Sequence, residues 1–489
     1  MDITPQKMRY LYVLLFLTVM MTLPWLGLTD FHTKGEPREA IVAQTMLAQD
    51  NWVMPHNNGG EIAYKPPFMH WCVAACGALA GGVNEYVARF PSALAAIVLA
   101  FGVYFFYARR RDGRTALMTA FVSFSSFEMF RAAYACRVDM VLTLCIVGAM
   151  LLLERWQEHG RCFGLPWMAI LLMSAGTLTK GPVAIVLPCM VAWVCAVVRR
   201  EGWLRKTLLM ALTAVVSLLL PALWYYAAYK QQGDAFIQLF LEENVYRFLG
   251  RMSYRSHENG IWYYFVMLPA GLLPWTLMLV PAIFRRWDKQ VIVARLKAMD
   301  RTEVFSLVAA VCVFVFYCIP HSKRGVYIMP MYPFVAFFIA QHLCVNYTQR
   351  FVRRLSSAVA VLYVVAYAAV LPFVLNPKSD LDTARAIEKE VGDAPLTSYV
   401  AGSEPGNPLH FFTINFYLND RVGVWTDKGP ASPYGYLIIG ERDAEKFIPR
   451  DGYVFRPVEL PEHRSCDTRQ VLRLYEYNVA PERCGPTGK

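Results

Sequence analysis

The chain has 489 residues, 56% of them apolar and 14% aromatic, with a mean hydropathy of +0.32, a balance that excludes an ordinary soluble protein. Its 48 Lys and Arg against 37 Asp and Glu give a formal charge of +11. These cations stand mainly in short loops between apolar runs, so they report orientation in a membrane and not a nucleic-acid partner. Apolar stretches of about 20 residues recur, which suits crossing helices and not the short alternating segments of a barrel.

In chain order, the first stretch starts with Lys7 and Arg9 and runs to Pro24-Trp25 with no small-residue cleavage site, which predicts a retained first span instead of a signal peptide. Eleven runs are long and apolar enough to be read as spans, near 9–28, 86–107, 115–131, 138–153, 165–179, 181–198, 206–229, 261–284, 303–319, 326–345 and 355–375. The expected fold class is an α-helical polytopic membrane protein with about 11–13 transmembrane helices. Four basic loops, at 109–114, 199–206, 285–301 and 350–354, are placed in the cytoplasm by the positive-inside rule. The loops between them, around Arg137-Asp139, Lys180-Gly181-Pro182, 230–260 and His321–Arg324, then fall outside, as do the segment 29–66 and Asn84-Glu85. Both ends of 68–83 lie on that outer side, so this short Gly- and Ala-rich segment is predicted to be a re-entrant or interfacial helix.

Residues 1–375 therefore form a transmembrane domain whose first external loop spans 29–84. Residues 376–489 turn to Pro, Gly, Asp and Glu, with strand-like runs at Tyr436–Gly440 and Val471–Tyr475, and predict a small extracytoplasmic α/β domain. Eight cysteines, Cys72, Cys76, Cys136, Cys145, Cys189, Cys195, Cys312 and Cys318, sit in apolar runs and act as small hydrophobes, and no metal-type CxxC pair occurs. Cys466 and Cys484 lie in the polar tail, where they would bridge only if it faces an oxidising compartment and their separation allows it.

Polar side chains at membrane depth are costly and invite a functional reading. The external loops collect Glu36, Arg38, Tyr64, Lys65, Arg137, Asp139, Lys180, Glu243, Asn244, Arg247, His257, Lys323, Arg324 and Tyr327. Cations mixed with carboxylates suit a reaction in which the cations hold a phosphate leaving group while a carboxylate takes a proton from an incoming hydroxyl. Plainer readings stand beside these. Glu36 with Pro37 can open the helix expected to about Ala48; Asp139 can anchor Arg38 or cap its own span; Lys180 can snorkel; Arg247 can pair with Glu243 at i,i+4; and the 323–327 cluster can be an interfacial belt.

An ordered series of residues supports the catalytic reading: Glu36-x-Arg38, Trp52-x-x-Pro55, Lys65-Pro66-Pro67, Asn84-Glu85, Arg89-x-Pro91-Ser92, Arg137-x-Asp139, Thr179-Lys180-Gly181, Glu243-Asn244-x-x-Arg247-Phe248 and Ser322-Lys323-Arg324-x-x-Tyr327-x-x-Pro330. Over roughly residues 9–350 the chain thereby resembles the bacterial GT-C membrane glycosyltransferases that include the lipid A aminoarabinose transferases and are related to the protein O-mannosyltransferases. The resemblance implies a GT-C-type bundle in the bacterial inner membrane, with a periplasmic site. There a sugar would pass with inversion from a polyprenyl phosphate to an acceptor hydroxyl or phosphate on lipid A, a protein or another glycan.

It further implies phosphate binding by Arg38, Lys65 and Arg247, with a first-loop carboxylate as general base. The usual Asp-Glu pair is Gly35-Glu36 here, which makes Glu36 the base, with Asp139 as the second catalytic candidate. No cofactor is required with certainty. A divalent metal is the candidate, but its usual ligand positions are altered, with Tyr64 standing for a Glu and Glu243 for a His. The rival reading is a multi-spanning transporter or flippase of lipid-linked sugars, but neither inverted repeats nor mid-membrane helix breaks are evident in the sequence.

Overall fold

The computed structural model describes residues 4–57, 59–63, 65–158, 164–249, 251, 258–283, 289–401, 411–426, 429–430, 432–449 and 452–479. The chain divides into two compact units. One comprises residues 1–26, 64–72 and 89–366, and the other 27–63, 73–88 and 367–489.

The first unit is helical. Among the described residues, six helices are long and apolar enough to cross a membrane: Pro5–Trp25, Glu85–Ala108, Trp203–Gln232, Arg301–Cys318, Gly325–Asn346 and Gln349–Lys378. The pair Phe127–Ala133 and Val138–Glu158, bent by 116°, adds a seventh if taken as one span. The other predicted spans are helical but shorter or broken. Trp167–Thr177 and Val183–Val198 are short, and the run near 261–284 divides into Tyr263–Gly271, Trp275–Leu279 and Val280–Ile283 around Pro269, Pro274 and Pro281. The segment predicted to be re-entrant forms the 13-residue helix Phe68–Ala80, about 20 Å long against about 30 Å of hydrocarbon.

Polar side chains join these helices where lipid offers no partner. The Tyr107 hydroxyl lies 2.8 Å from Ser306 Oγ, Ser174 Oγ donates to the Ser217 carbonyl, and Gln157 Nε2 donates to the Ala192 carbonyl. Three of the four basic loops meet at one end of the unit. Glu154, 2% exposed, accepts from Arg199 Nη1 and Arg301 Nε, both at 3.0 Å. Arg301 also reaches Glu201 at 2.6 Å, Arg110 pairs with Glu158, and Arg111 pairs with Asp300. Lys7 joins the same end by donating to the Ala108 carbonyl at 2.5 Å.

The second unit contains the helix Pro37–Gln49, a two-stranded ribbon of β1 (His56–Asn57) and β2 (Glu61–Ile62), and a five-stranded sheet. The sheet comprises β3 (Leu396–Tyr399), β4 (Val422–Val424), β5 (Tyr434–Gly440), β6 (Tyr453–Val458) and β7 (Leu472–Val479) in the order β4-β3-β5-β7-β6. The β3 strand runs parallel to β4 and β5, whereas β7 is antiparallel to β5 and β6. The predicted strands at 436–440 and 471–475 correspond to β5 and β7. The continuous apolar run of β5 is explained by burial on both faces: Ile438 packs with Ile387, Ile414 and Leu474, while Leu437 packs with Trp425 and Tyr477.

A polar knot closes one edge of this core. Asp380, fully buried, accepts from Ser465 Oγ at 2.9 Å and from the Cys466 amide at 3.1 Å, with His463 Nε2 at 3.0 Å. Asp467 accepts from the amide and hydroxyl of Thr413, and burial pushes its carboxyl up from 3.8 to about 7. Cys466 is a free thiol inside this knot, and Cys484 lies outside the described residues.

Candidate active site

The first unit contains a cavity of about 490 Å³. Each polar group in it is set by a local feature of the sequence. Pro66-Pro67 keep Lys65 out of a helix, and the Phe68 amide that follows donates to the Leu178 carbonyl at 2.8 Å, which ties this segment to the turn carrying Lys180. That turn ends the helix Trp167–Thr177, with the amides of Thr179 and Lys180 both bonding to the Gly176 carbonyl. Gly181 follows at φ +127°, a conformation that disfavours side chains, and a Cβ there would lie 2.4 Å from Asn244 Oδ1.

Residues Leu241–Tyr246 form a π-helix, a local device common at functional sites. It carries Glu243 and Asn244 into the cavity wall, and Arg247 follows with Nη2 2.8 Å from Glu243 Oε1. The last wall comes from the end of the helix Arg301–Cys318 and the turn after it, through Phe316, Tyr317, Pro320, Ser322 and Tyr327.

Among the described residues, three cations, Lys65, Lys180 and Arg247, line the cavity against one carboxylate, Glu243. Beside it, in the first turn of the helix Val138–Glu158, Asp139 is 6% exposed and holds Lys180 Nζ at 2.6 Å. Lys65 and Arg324 add to the positive field at that carboxylate. Lys180 Nζ also stands 4.4 Å from the centroid of the Tyr327 ring, which packs at 5.7 Å against Tyr317. The remaining wall is apolar, with Val183, Val186, Phe240, Val245 and Phe316. The arrangement offers an anion site at the mouth of a hydrophobic groove.

The structure thus brings together Lys65, Lys180, Glu243, Asn244, Arg247 and Tyr327, with Asp139 and Arg324 close by. Asp139 is ion-paired with Lys180, an arrangement that holds the ammonium in place at the cavity. Arg137 is half-buried and its carbonyl accepts from Ser92 Oγ at 3.3 Å. Lys323 is 4% exposed and its ammonium bonds to the Pro320 carbonyl, so it closes its own turn. Glu36 and Arg38 belong to the second unit. Glu36 is 7% exposed at the start of the helix Pro37–Gln49, where its carbonyl accepts from the Glu39 and Ala40 amides, and the Arg38 guanidinium lies 5.5 Å from the Phe412 ring. Tyr64 and His257 lie outside the described residues.

Sequence reasoning missed Tyr317 and Ser322 as cavity residues. Ser322 stood in a quoted motif, but Tyr317 ends an apolar run and gives no signal. Among the described residues no group of three His, Cys, Asp or Glu side chains could hold a metal ion, and Glu243 is paired with Arg247.

The dolichyl-phosphate-mannose-protein mannosyltransferase family matches residues 64–226. An undecaprenyl phosphate-alpha-4-amino-4-deoxy-L-arabinose arabinosyl transferase of Erwinia tasmaniensis is 28% identical over 317 residues, which cover 63% of this chain and 54% of that protein. The corresponding transferase of Pseudomonas paraeruginosa is 30% identical over 52% of this chain and 46% of its own length. The match thus spans about half the length of these curated relatives. Among solved structures, ArnT from Cupriavidus metallidurans in the apo state aligns with a TM-score of 0.72 at 19% identity, covering 97% of this chain and 98% of that one. The same protein bound to undecaprenyl phosphate aligns with a TM-score of 0.69 at 21% identity, covering 98% and 99%. The chain has the fold of that ArnT and is similar in sequence, over 52–63% of its length, to the aminoarabinose transferases.

Proposed function

We propose that this protein is a glycosyltransferase that moves a sugar from a polyprenyl-phosphate donor to an acceptor hydroxyl or phosphate. The observation that carries the reading is the cavity itself, where an excess of cations borders an apolar wall. A polyprenyl-phosphate sugar has those two parts, an anionic group and a hydrocarbon tail. In the reaction the acceptor oxygen attacks the anomeric carbon, the bond from that carbon to the phosphate oxygen breaks, and the polyprenyl phosphate leaves with the bonding pair. Lys65, Lys180 and Arg247 stabilise the charge that grows on the leaving phosphate, and Asp139 positions Lys180. The proton released by the acceptor goes to a carboxylate, which the resemblance assigns to Glu36.

Supporting the sidedness of this scheme, Asp139 and the Arg-bound Glu154 stand about 22 Å apart along one helix. The cavity therefore lies toward the end opposite the basic loops. With those loops in the cytoplasm, the site and the domain 376–489 face the periplasm of a bacterial inner membrane. The donor sugar is a hexose or pentose, as the arabinosyl and mannosyl transferases similar to this chain suggest, and the acceptor is lipid A, a protein or another glycan.

The test is transfer by purified protein in lipid nanodiscs from an undecaprenyl-phosphate-linked sugar, followed by mass spectrometry of the product. Lys65→Ala should weaken donor binding, and Glu36→Gln should stop turnover while leaving binding intact. Donor affinity unchanged in Lys65→Ala would reject the cavity as the donor site. Wild-type turnover in Glu36→Gln would remove it as the base.

A further inference from the structure

The cations and the apolar wall account for a phosphate and a lipid tail, but one cavity group is matched to neither. Ser322 lines the cavity and is 7% exposed, and its hydroxyl has no hydrogen-bond partner. A buried hydroxyl left unsatisfied is uncommon and destabilising, so a ligand that supplies the partner gains from the vacancy. The turn holding it is fixed before any ligand arrives. Ser322 bridges to the backbone of Glu258, the Asn259 amide donates to the His321 carbonyl, Asn259 Nδ2 donates to the Lys323 carbonyl, and the Lys323 ammonium closes on Pro320.

We infer that Ser322 reads the donor's sugar, accepting from or donating to one of its ring hydroxyls, with the Tyr317 side chain as the neighbouring wall. This rests on the donor reading of the same cavity and adds the residue that distinguishes the sugar from its lipid phosphate. A neutral hydroxyl suits this task because it both donates and accepts and adds no charge to a site already rich in cations. It also penalises a sugar that lacks the matching hydroxyl, because the serine then stays unpaired.

The experiment measures binding of four probes to wild type and Ser322→Ala in nanodiscs: undecaprenyl phosphate, and the same lipid carrying glucose, mannose or 4-amino-4-deoxyarabinose. In wild type at least one glycosylated probe should bind more tightly than the bare lipid. Ser322→Ala should lose roughly three- to tenfold in affinity for that probe and less than about twofold for undecaprenyl phosphate, which also verifies that the variant folds. Equal losses for both probes, no loss for either, or no gain from any sugar in wild type would overturn the assignment. Wild type that binds no probe would instead overturn the donor reading on which it rests.

Discussion

Asp139→Asn tests whether the carboxylate beside the cavity acts through Lys180. The ion pair is 2.6 Å long, with side-chain exposures of 8% for Asp139 and 24% for Lys180. Removing one partner of a fully buried pair costs about 3–5 kcal/mol. Water reaching Lys180 recovers part of that, so the expected loss is about 2–3 kcal/mol, or roughly 30- to 150-fold in kcat/KM. The loss arises because the ammonium no longer has a fixed position above the Tyr327 ring and beside Lys65. Lys180→Met should cost a similar amount. The double variant should lose little more than the worse single one, with a coupling energy of about 1.5–2 kcal/mol. The assay is steady-state transfer from an undecaprenyl-phosphate sugar, with the binding of undecaprenyl phosphate measured alongside. Losses that simply add, or an Asp139→Asn enzyme with wild-type kcat/KM, would refute the anchoring role.

Gly181→Ala places a Cβ 2.4 Å from Asn244 Oδ1 at φ +127°; strain of about 1–3 kcal/mol should cut kcat/KM by roughly 5- to 150-fold, and unchanged kinetics would dispose of the close approach. Glu154→Gln strips the buried carboxylate from Arg199 and Arg301 at the far end of the helix. It should lower thermal stability by about 3 kcal/mol while turnover per folded molecule stays near wild type, as read by differential scanning fluorimetry and single-substrate kinetics. Asp467 keeps its proton to about pH 7 in the folded domain but releases it near 3.8 when unfolded. The folded state therefore binds the extra proton between those values, and its stabilisation, complete below about pH 4, disappears as pH rises through about 7. Melting temperatures of the wild type should fall between pH 5 and pH 8 by more than those of Asp467→Asn, and equal slopes would contradict the shift.

The parts of the fold that were legible in the sequence are those governed by a single local rule. Long apolar runs became helices because the backbone in lipid has to satisfy itself, and Pro37 marked the start of its helix because a missing amide costs nothing there. The run Tyr436–Gly440 read as a strand, and its burial on both faces of the sheet explains why it is apolar without alternation. Where prolines interrupt a run, as at 269, 274 and 281, hydropathy still reported one span while the backbone divides into three short helices. The π-helix at 241–246 has no compositional mark, because its extra residue per turn is fixed by what packs around it.

The site was legible in its charges but not in their partners. Lys65 stood out because a cation before two prolines has little packing reason to be there, whereas Lys180 and Arg247 also had plain readings, as a snorkelling side chain and as an i,i+4 partner of Glu243. Lys323 carried the same signal, yet its ammonium is spent on the Pro320 carbonyl. No sequence rule separates the two outcomes, since the difference lies in whether a free carbonyl falls within reach of the side chain. Ser322 inverts the case: it is unremarkable by type and draws interest only because burial leaves its hydroxyl without a partner. The charge pattern also allowed Asp139 to be either base or anchor, and the choice turns on a distance. A carboxylate with one oxygen 2.6 Å from an ammonium is held by that cation, and a proton taken up by it would weaken its grip on Lys180 just when the leaving phosphate most needs that charge.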